Sequence, residues 1–310
     1  MEKAENSEKE LNNMNKMFKE ITGSGSKTAM GVLLARFLES QKPEDERICY
    51  DPYAAYFIGP EILEWTVQHP DEARILKEQN DRFFPGRNNS IAARVRFFDD
   101  FVKKSICEGI EQLVILGAGY DSRAYRIEGL ERIKTFEVDH PATQNVKIEK
   151  IKMIFGRLPG HVLYVPCDLE TDDFGQRLID MGYNPHAKTL FLMEGVSMYL
   201  QPEVVDRVLS FIVNNSGKNS SVLFDYFPQS AVDGSSELGA GRNLRNQVSQ
   251  LGEPLKFGIK EGTVETFLTQ RGFIQVCNIT GEDWKKIYFQ GVNKDRIVDS
   301  LKSFVYAVVQ

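Results

Sequence analysis

An α/β fold built on a doubly wound sheet of seven strands is predicted for this chain by three observations. A short all-apolar run, Leu113 to Leu116, ends in a glycine turn; the next apolar run ends in a lone acid, Asp139; and strand and helix patterns alternate from Glu111 to the C-terminus. Leu113-Val114-Ile115-Leu116 suits a strand buried on both faces of a parallel sheet. Gly117-Ala118-Gly119 follows it directly, and two glycines let a backbone turn sharply and approach a ligand where a Cβ would clash. Phe136-Glu137-Val138-Asp139 places its carboxylate twenty residues past Gly119 (139 minus 119). Strands are expected near 112–117, 133–138, 161–166, 188–193, 220–226, 273–280 and 303–309. Helices are expected near 142–155, 174–182, 202–214, 261–271 and 282–290.

Ahead of this alternation the chain reads as a helical cap, residues 1–110, joined to a core of residues 111–310. Met14, Met17, Phe18 and Ile21 show helical periodicity, and so do Met30, Val32, Leu33, Leu34, Phe37 and Leu38. Thr22-Gly23-Ser24-Gly25-Ser26 is a joint between them, with Ser26 a cap for the second. A third helix, roughly Asn89 to Cys107, carries Ile91, Val95, Phe98, Val102 and Ile106 on the face that should pack on the sheet, with Arg94 beside them. Within the core, residues 228–255 interrupt the alternation with a Gly/Ser/Asn-rich stretch holding Arg242 and Arg245, which reads as a lid over a substrate.

The composition is globular, with 42% hydrophobic, 26% charged and 11% aromatic residues. A formal charge of −6 lacks the net basic face that a phosphate-backbone binder needs, so no nucleic-acid partner is expected. Cys49, Cys107, Cys167 and Cys277 form no CxxC, and the four histidines form no HxxxH, so neither a disulfide framework nor a metal site is indicated. Met1 to Glu10 has no apolar signal region, and nowhere do eighteen apolar residues run together, so a soluble cytoplasmic protein with no membrane partner is expected. The glycine turn and Asp139, whose carboxylate can accept both hydroxyls of a ribose, point to an adenosine cofactor. A dinucleotide fingerprint needs a third glycine where Ser122-Arg123 stands, which weakens NAD or FAD. S-adenosylmethionine carries no phosphate and needs only the turn and the acid.

Together these residues resemble the leucine carboxyl methyltransferase family, S-adenosylmethionine-dependent enzymes whose members methylate carboxylates of proteins or hydroxyl and carboxyl groups of small molecules. The likeness spans most of the chain. It rests on Ser26-Lys27-Thr28-Ala29, Tyr50-Asp51-Pro52-Tyr53-Ala54, Ala93-Arg94-Val95, Leu116 to Arg123, Phe136 to Pro141, Asp168-Leu169 and Glu194 to Leu200. It is closer to the bacterial and archaeal group with small or unknown acceptors than to the eukaryotic enzyme of protein phosphatase tails. The resemblance implies the class I methyltransferase form of the Rossmann-like sheet, with a final antiparallel strand. It further implies that Lys27 and Arg94 hold the methionine carboxylate of the cofactor, Gly117 and Gly119 line its backbone, Asp139 binds ribose, Asp168 and Leu169 hold adenine, and Glu194 faces the methionine amino group. Glu194 ends the apolar run Leu190 to Met193, where a buried carboxylate needs a partner. Asp51-Pro52-Tyr53 reads on its own as a structural turn.

The expected chemistry is O-methylation of a small molecule. A carboxylate acceptor is already ionised and needs no base, and no Ser/His/Asp set stands near the strand ends. Protein C-terminal carboxyl methylation, an oxidoreductase using NAD and a non-catalytic binding protein are the alternatives. Many family members carry an arginine after the Asp-Leu pair that orients an acceptor carboxylate; here that position is Glu170. Arg123, Arg242 or Arg245 then stand as substitutes, and Tyr199 and Tyr120 as hydrogen-bond partners of an acceptor oxygen.

Overall fold

The computed structural model describes residues 27–235, 245, 249, 252–299 and 301–310. Helices α1 (Lys27–Ser40), α2 (Ala54–Ile58), α3 (Pro60–Gln68), α4 (Pro70–Phe83) and α5 (Arg87–Cys107) precede the first strand. There follow β1 (Gln112–Leu116), α6 (Arg123–Arg126), β2 (Lys134–Asp139), α7 (Pro141–Phe155), β3 (Val162–Pro166), α8 (Phe174–Asp180), β4 (Thr189–Met193), α9 (Pro202–Asn214), β5 (Ser221–Tyr226), α10 (Gln229–Asp233), α11 (Val264–Thr269), β6 (Phe273–Ile279), α12 (Gly281–Tyr288) and β7 (Ser303–Val309). All seven expected strands are present, in the order β3-β2-β1-β4-β5-β7-β6. Strands β1 to β5 pair in parallel, and β7 runs antiparallel to both β5 and β6.

Burial explains the sequence patterns. Strands β1 and β4 are buried at every position, as central strands covered on both faces must be, and they read as unbroken apolar runs. At the sheet edge β6 exposes part of its length and slips register between Ile274 and Cys277, a bulge that bends an edge strand away from unwanted pairing. On one face Val204, Val205, Val208, Leu209 and Ile212 of α9 recur at helical spacing and are buried in the core. On the other, Ile91, Val95, Phe98 and Val102 of α5 pack with Leu113, Leu190 and Phe304, so this helix belongs to the layer that covers the sheet.

Three short helices between α1 and α5 carry no clear periodicity in the sequence, because α4 in particular is exposed along most of its length; prolines at the first positions of α3 and α4 set their starts. The Asp51 turn is structural as expected: its Oδ1 accepts the Tyr53 N–H at 3.0 Å, and the other oxygen faces Arg36 Nε at 3.4 Å. The expected helix through Met14 to Ile21, the joint at residues 22–26 and Arg242 lie outside the described residues, as does most of the expected lid. Of that lid, α10 and residues 252–255 are described, and Arg245 is exposed. Among the described residues no helix is long and apolar enough to cross a membrane.

Candidate active site

Strand order reverses between β1 and β4, and open α/β sheets bind ligands in the crevice at the carboxyl ends of the strands where that happens. A cavity of about 310 Å³ lies there, floored by the ends of β1, β2 and β4 and walled by α1, α5 and the segment before β7. Gly117 has φ +63° and lines the floor, and a Cβ there would overlap the Val196 side chain on the loop after β4. Gly119 donates its N–H to Asp139 Oδ2 at 2.5 Å, while Asp139 Oδ1 accepts the His140 N–H at 2.7 Å. Asp139 thus locks the glycine turn. Burial raises its pKa, and each oxygen keeps a lone pair for a hydroxyl donor.

Behind the floor lies a buried charge network. Arg94 donates from Nε to Glu194 Oε1 at 2.9 Å and from Nη1 to Asp225 Oδ2 at 2.7 Å. Arg123 reaches the second Glu194 oxygen at 2.6 Å, Asp121 at 2.5 Å and Asp99 at 2.8 Å, and Arg126 closes on Asp99 at 2.7 Å. Burial alone would raise the Glu194 pKa, but Arg123 and Arg94 overcome it and hold it low; Asp121 is held at about 2, where burial is outweighed by Arg123, Lys147 and Arg36 together with the Arg123 N–H. Asp225, at the end of β5, also accepts the Gly195 N–H at 2.6 Å and so fixes the turn after β4.

The structure brings Arg94, Gly117, Gly119, Asp139, Glu194, Tyr120 and Tyr199 to one cavity. Other expectations it revises. Arg123 is 1% exposed and does not line the cavity; three carboxylates occupy its Nε and Nη1 and the Val95 carbonyl accepts from Nη2 at 3.3 Å, which removes it as an acceptor-orienting group. Glu194 lines the cavity, but the cations that satisfy its buried carboxylate belong to the protein, so its burial does not call for a cationic ligand. Arg94 spends two arms on structure, and Nη2 donates to no described residue. Asp168 and Leu169 do not line the cavity: Asp168 Oδ1 accepts the Glu170 N–H at 2.9 Å, a turn cap, and Leu169 is buried in the core. The backbone of Lys27 opens α1, whose next residues Thr28 and Ala29 line the cavity, while its side chain lies outside the described residues. Glu170 sits away from the cavity and pairs with Lys256 at 2.9 Å, and the Lys256 N–H binds the Met198 carbonyl at 2.8 Å. It therefore clips the chain after the lid to the loop after β4.

The cavity end remote from Asp139 came from no sequence motif. Phe84, Met198, Phe227 and Leu301 share one apolar cluster there, and each lines the cavity. Arg87 and Lys302 enter between them. Tyr199 lies beside Glu253, and burial followed by that carboxylate raises the phenol to about 12, so it stays a hydrogen-bond donor at neutral pH.

This chain, with its glycine floor, half-buried acid twenty residues on and 3-2-1-4-5-7-6 sheet, is similar to known proteins in sequence and in fold. The leucine carboxyl methyltransferase profile covers residues 29–213, more than half the chain. The chain belongs to the leucine carboxyl methyltransferase family. Bacillus subtilis (strain 168) YktD, named as an S-adenosyl-L-methionine-dependent methyltransferase, is 29% identical over 206 residues, 66% of this chain and 67% of that one. A Mycobacterium avium (strain 104) protein of the same description is 29% identical over 261 residues, 82% of this chain and 84% of its own. The fold is shared with a duf574 family protein from Streptomyces avermitilis MA-4680 at TM-score 0.58 and 11% identity, covering 89% and 97% of the two chains. It is also shared with a methyltransferase-like structure from Thermobifida fusca YX at TM-score 0.54 and 15% identity, covering 90% and 97%. This member of the family is an S-adenosylmethionine-dependent methyltransferase. Its residues fit that cofactor: the floor has no room for a side chain at Gly117, and Asp139 is half-buried with only backbone N–H groups bonded to it among the described residues.

Proposed function

We propose that the enzyme transfers a methyl group to an oxygen of a small-molecule acceptor. The observation that carries this reading is the apolar end of the cavity, where Phe84, Phe227 and Leu301 offer a wall to a compact hydrophobic body. S-adenosylmethionine supplies a sulfonium-bound, electrophilic methyl group. The protein's share is alignment and exclusion of water. Asp139 and the glycine turn fix the nucleoside end, Arg94 and the start of α1 meet the amino-acid end, and Tyr199 donates a hydrogen bond near the acceptor. The test offers labelled S-adenosylmethionine with small carboxylic acids and phenols in one panel and peptides with free C-terminal carboxylates in another. Label in extractable small esters or ethers supports the proposal; label on peptides alone refutes it.

Asp139→Asn keeps the shape and removes the charge. Its affinity for S-adenosylhomocysteine should fall by about 1–3 kcal/mol, the cost of losing charge-assisted hydrogen bonds to the ribose. Calorimetry checks this, and an unchanged affinity would remove Asp139 from ribose binding.

A further inference from the structure

We infer that Arg87 and Lys302 together form the anion-recognition site for the acceptor, so that this enzyme methylates a small molecule with an apolar body and an anionic oxygen. The inference rests on the methyltransferase reading and names the acceptor class for the same cavity. Arg87 stands at the first turn of α5 and Lys302 next to the first residue of β7, and both line the remote end among Phe84, Phe227 and Leu301. Among the described residues neither side chain forms a hydrogen bond. The Lys302 ammonium comes no nearer to an acid than 4.0 Å, from Asp225 Oδ2. That oxygen already accepts from Arg94, and Asp225 Oδ1 from Gly195. Of the other carboxylates at this end, Asp299 acts on both cations through its charge while its Oδ1 accepts the Leu301 N–H at 2.8 Å, and Glu253 has an interaction of its own. Two cations side by side on an apolar wall, with no protein hydrogen-bond acceptor among the described residues, suit an anionic group. An anionic oxygen satisfies both, with Arg87 offering a planar fork and Lys302 a point charge.

The frame around the pair is rigid. The Ser90 hydroxyl donates to the Asp299 carbonyl at 3.0 Å and accepts its N–H at 2.8 Å, and Asn89 Nδ2 donates to the Ile297 carbonyl at 2.6 Å. These bonds tie the start of α5 to the segment before β7, and so fix Arg87 against Lys302. Glu170, tied to Lys256 outside the cavity, neither supplies nor opposes the anion site. In the transfer the acceptor's anionic oxygen forms the new bond to the methyl carbon while the carbon–sulfur bond breaks, and its electron pair stays on sulfur, which becomes neutral. No proton moves. The product ester or ether is uncharged, loses its hold on both cations and is free to leave.

Burial, and then Arg94, depress the Lys302 ammonium to about 8; Asp225 and Asp299 act against this and Arg87 adds to it. Glu253 and Tyr199 face the same space. Anion binding should therefore weaken as pH rises through about 8.

The experiment is calorimetry on the full chain saturated with S-adenosylhomocysteine, using benzoate as the anionic probe and benzamide as its neutral isostere. Benzoate is expected to bind at least tenfold more tightly than benzamide. Arg87→Met and Lys302→Met should each weaken benzoate at least tenfold while leaving S-adenosylhomocysteine affinity within about twofold, which also reports that the variants are folded. Lys302→Arg should keep benzoate affinity and lose its fall above pH 8. Benzoate binding no better than benzamide, or unchanged in both methionine variants, overturns the inference. Loss of S-adenosylhomocysteine affinity in those variants overturns it too, because the cations then hold the cofactor's own carboxylate. If the wild-type chain fails to bind S-adenosylhomocysteine, the methyltransferase reading itself fails.

Discussion

Arg94→Met is expected to destabilise the protein by about 3–5 kcal/mol, the cost of leaving buried charges without their partner. The Arg94 side chain is 2% exposed, and it neutralises Glu194 at 10% and Asp225 at 0%. Arg123 still covers one oxygen of Glu194 after the substitution. Asp225 is worse placed: the Lys302 ammonium, at 4.0 Å, is the nearest remaining cation. A pair of exposed charges would be worth only about 0–1 kcal/mol, so the size of the loss discriminates between the two situations. For a chain of this length the melting temperature should fall by roughly 10 °C. Adding Asp225→Asn to Arg94→Met should recover part of the loss, since the uncompensated charge is then gone. A drop of only a degree or two for Arg94→Met, or no recovery in the double variant, would show that the network does not hold these elements together. Removing Arg94 also removes the cation that most depresses Lys302, so the lysine's pKa should move back up from about 8.

The centre of the sheet was legible in the sequence because β1 and β4 are buried at every position and read as nearly unbroken apolar runs. The acids at strand ends were legible for the same reason: Asp139 and Glu194 each close such a run and each reaches the cavity. Asp225 closes the run Val222-Leu223-Phe224 with the same signature, and it proves as central as Glu194 because it pins both Arg94 and the Gly195 turn. The role of Arg123 was not legible. Its partners Asp99, Asp121 and Glu194 span 95 positions (194 minus 99), and only the folded chain shows that they and the Val95 carbonyl take up its three nitrogens. Arg87 and Lys302 lie 215 positions apart (302 minus 87), and neither sits in a motif; the pairing of α5 with the segment before β7 puts them in one cavity. Asp168 is a strand-end acid of another kind, whose Oδ1 caps its own loop and which does not line the cavity.

Gly86→Ala tests whether that pairing builds the remote end of the cavity. Gly86 caps the N-terminus of α5 in the left-handed region, φ +78°, where an L-residue costs about 1–2 kcal/mol. A Cβ there would also stand 2.6 Å from the Asp299 nitrogen and 2.7 Å from the Val298 carbonyl carbon. Both are backbone atoms, and no rotamer change relieves them. Overpacking of this kind adds about 1–3 kcal/mol, so a total of about 2–5 kcal/mol is expected, read as a fall in melting temperature. The accompanying change is more telling. Relief requires residues 297–299 to move away from α5, which pulls against the Ser90–Asp299 bonds and separates Lys302 from Arg87. Cofactor contacts at Gly117, Gly119 and Asp139 lie at the other end and should be spared. Gly86→Ala should therefore keep S-adenosylhomocysteine affinity within about twofold at a temperature where it is folded, yet lose benzoate. Equal losses for both ligands would mean that the junction between α5 and β7 shapes the whole cavity rather than its acceptor end.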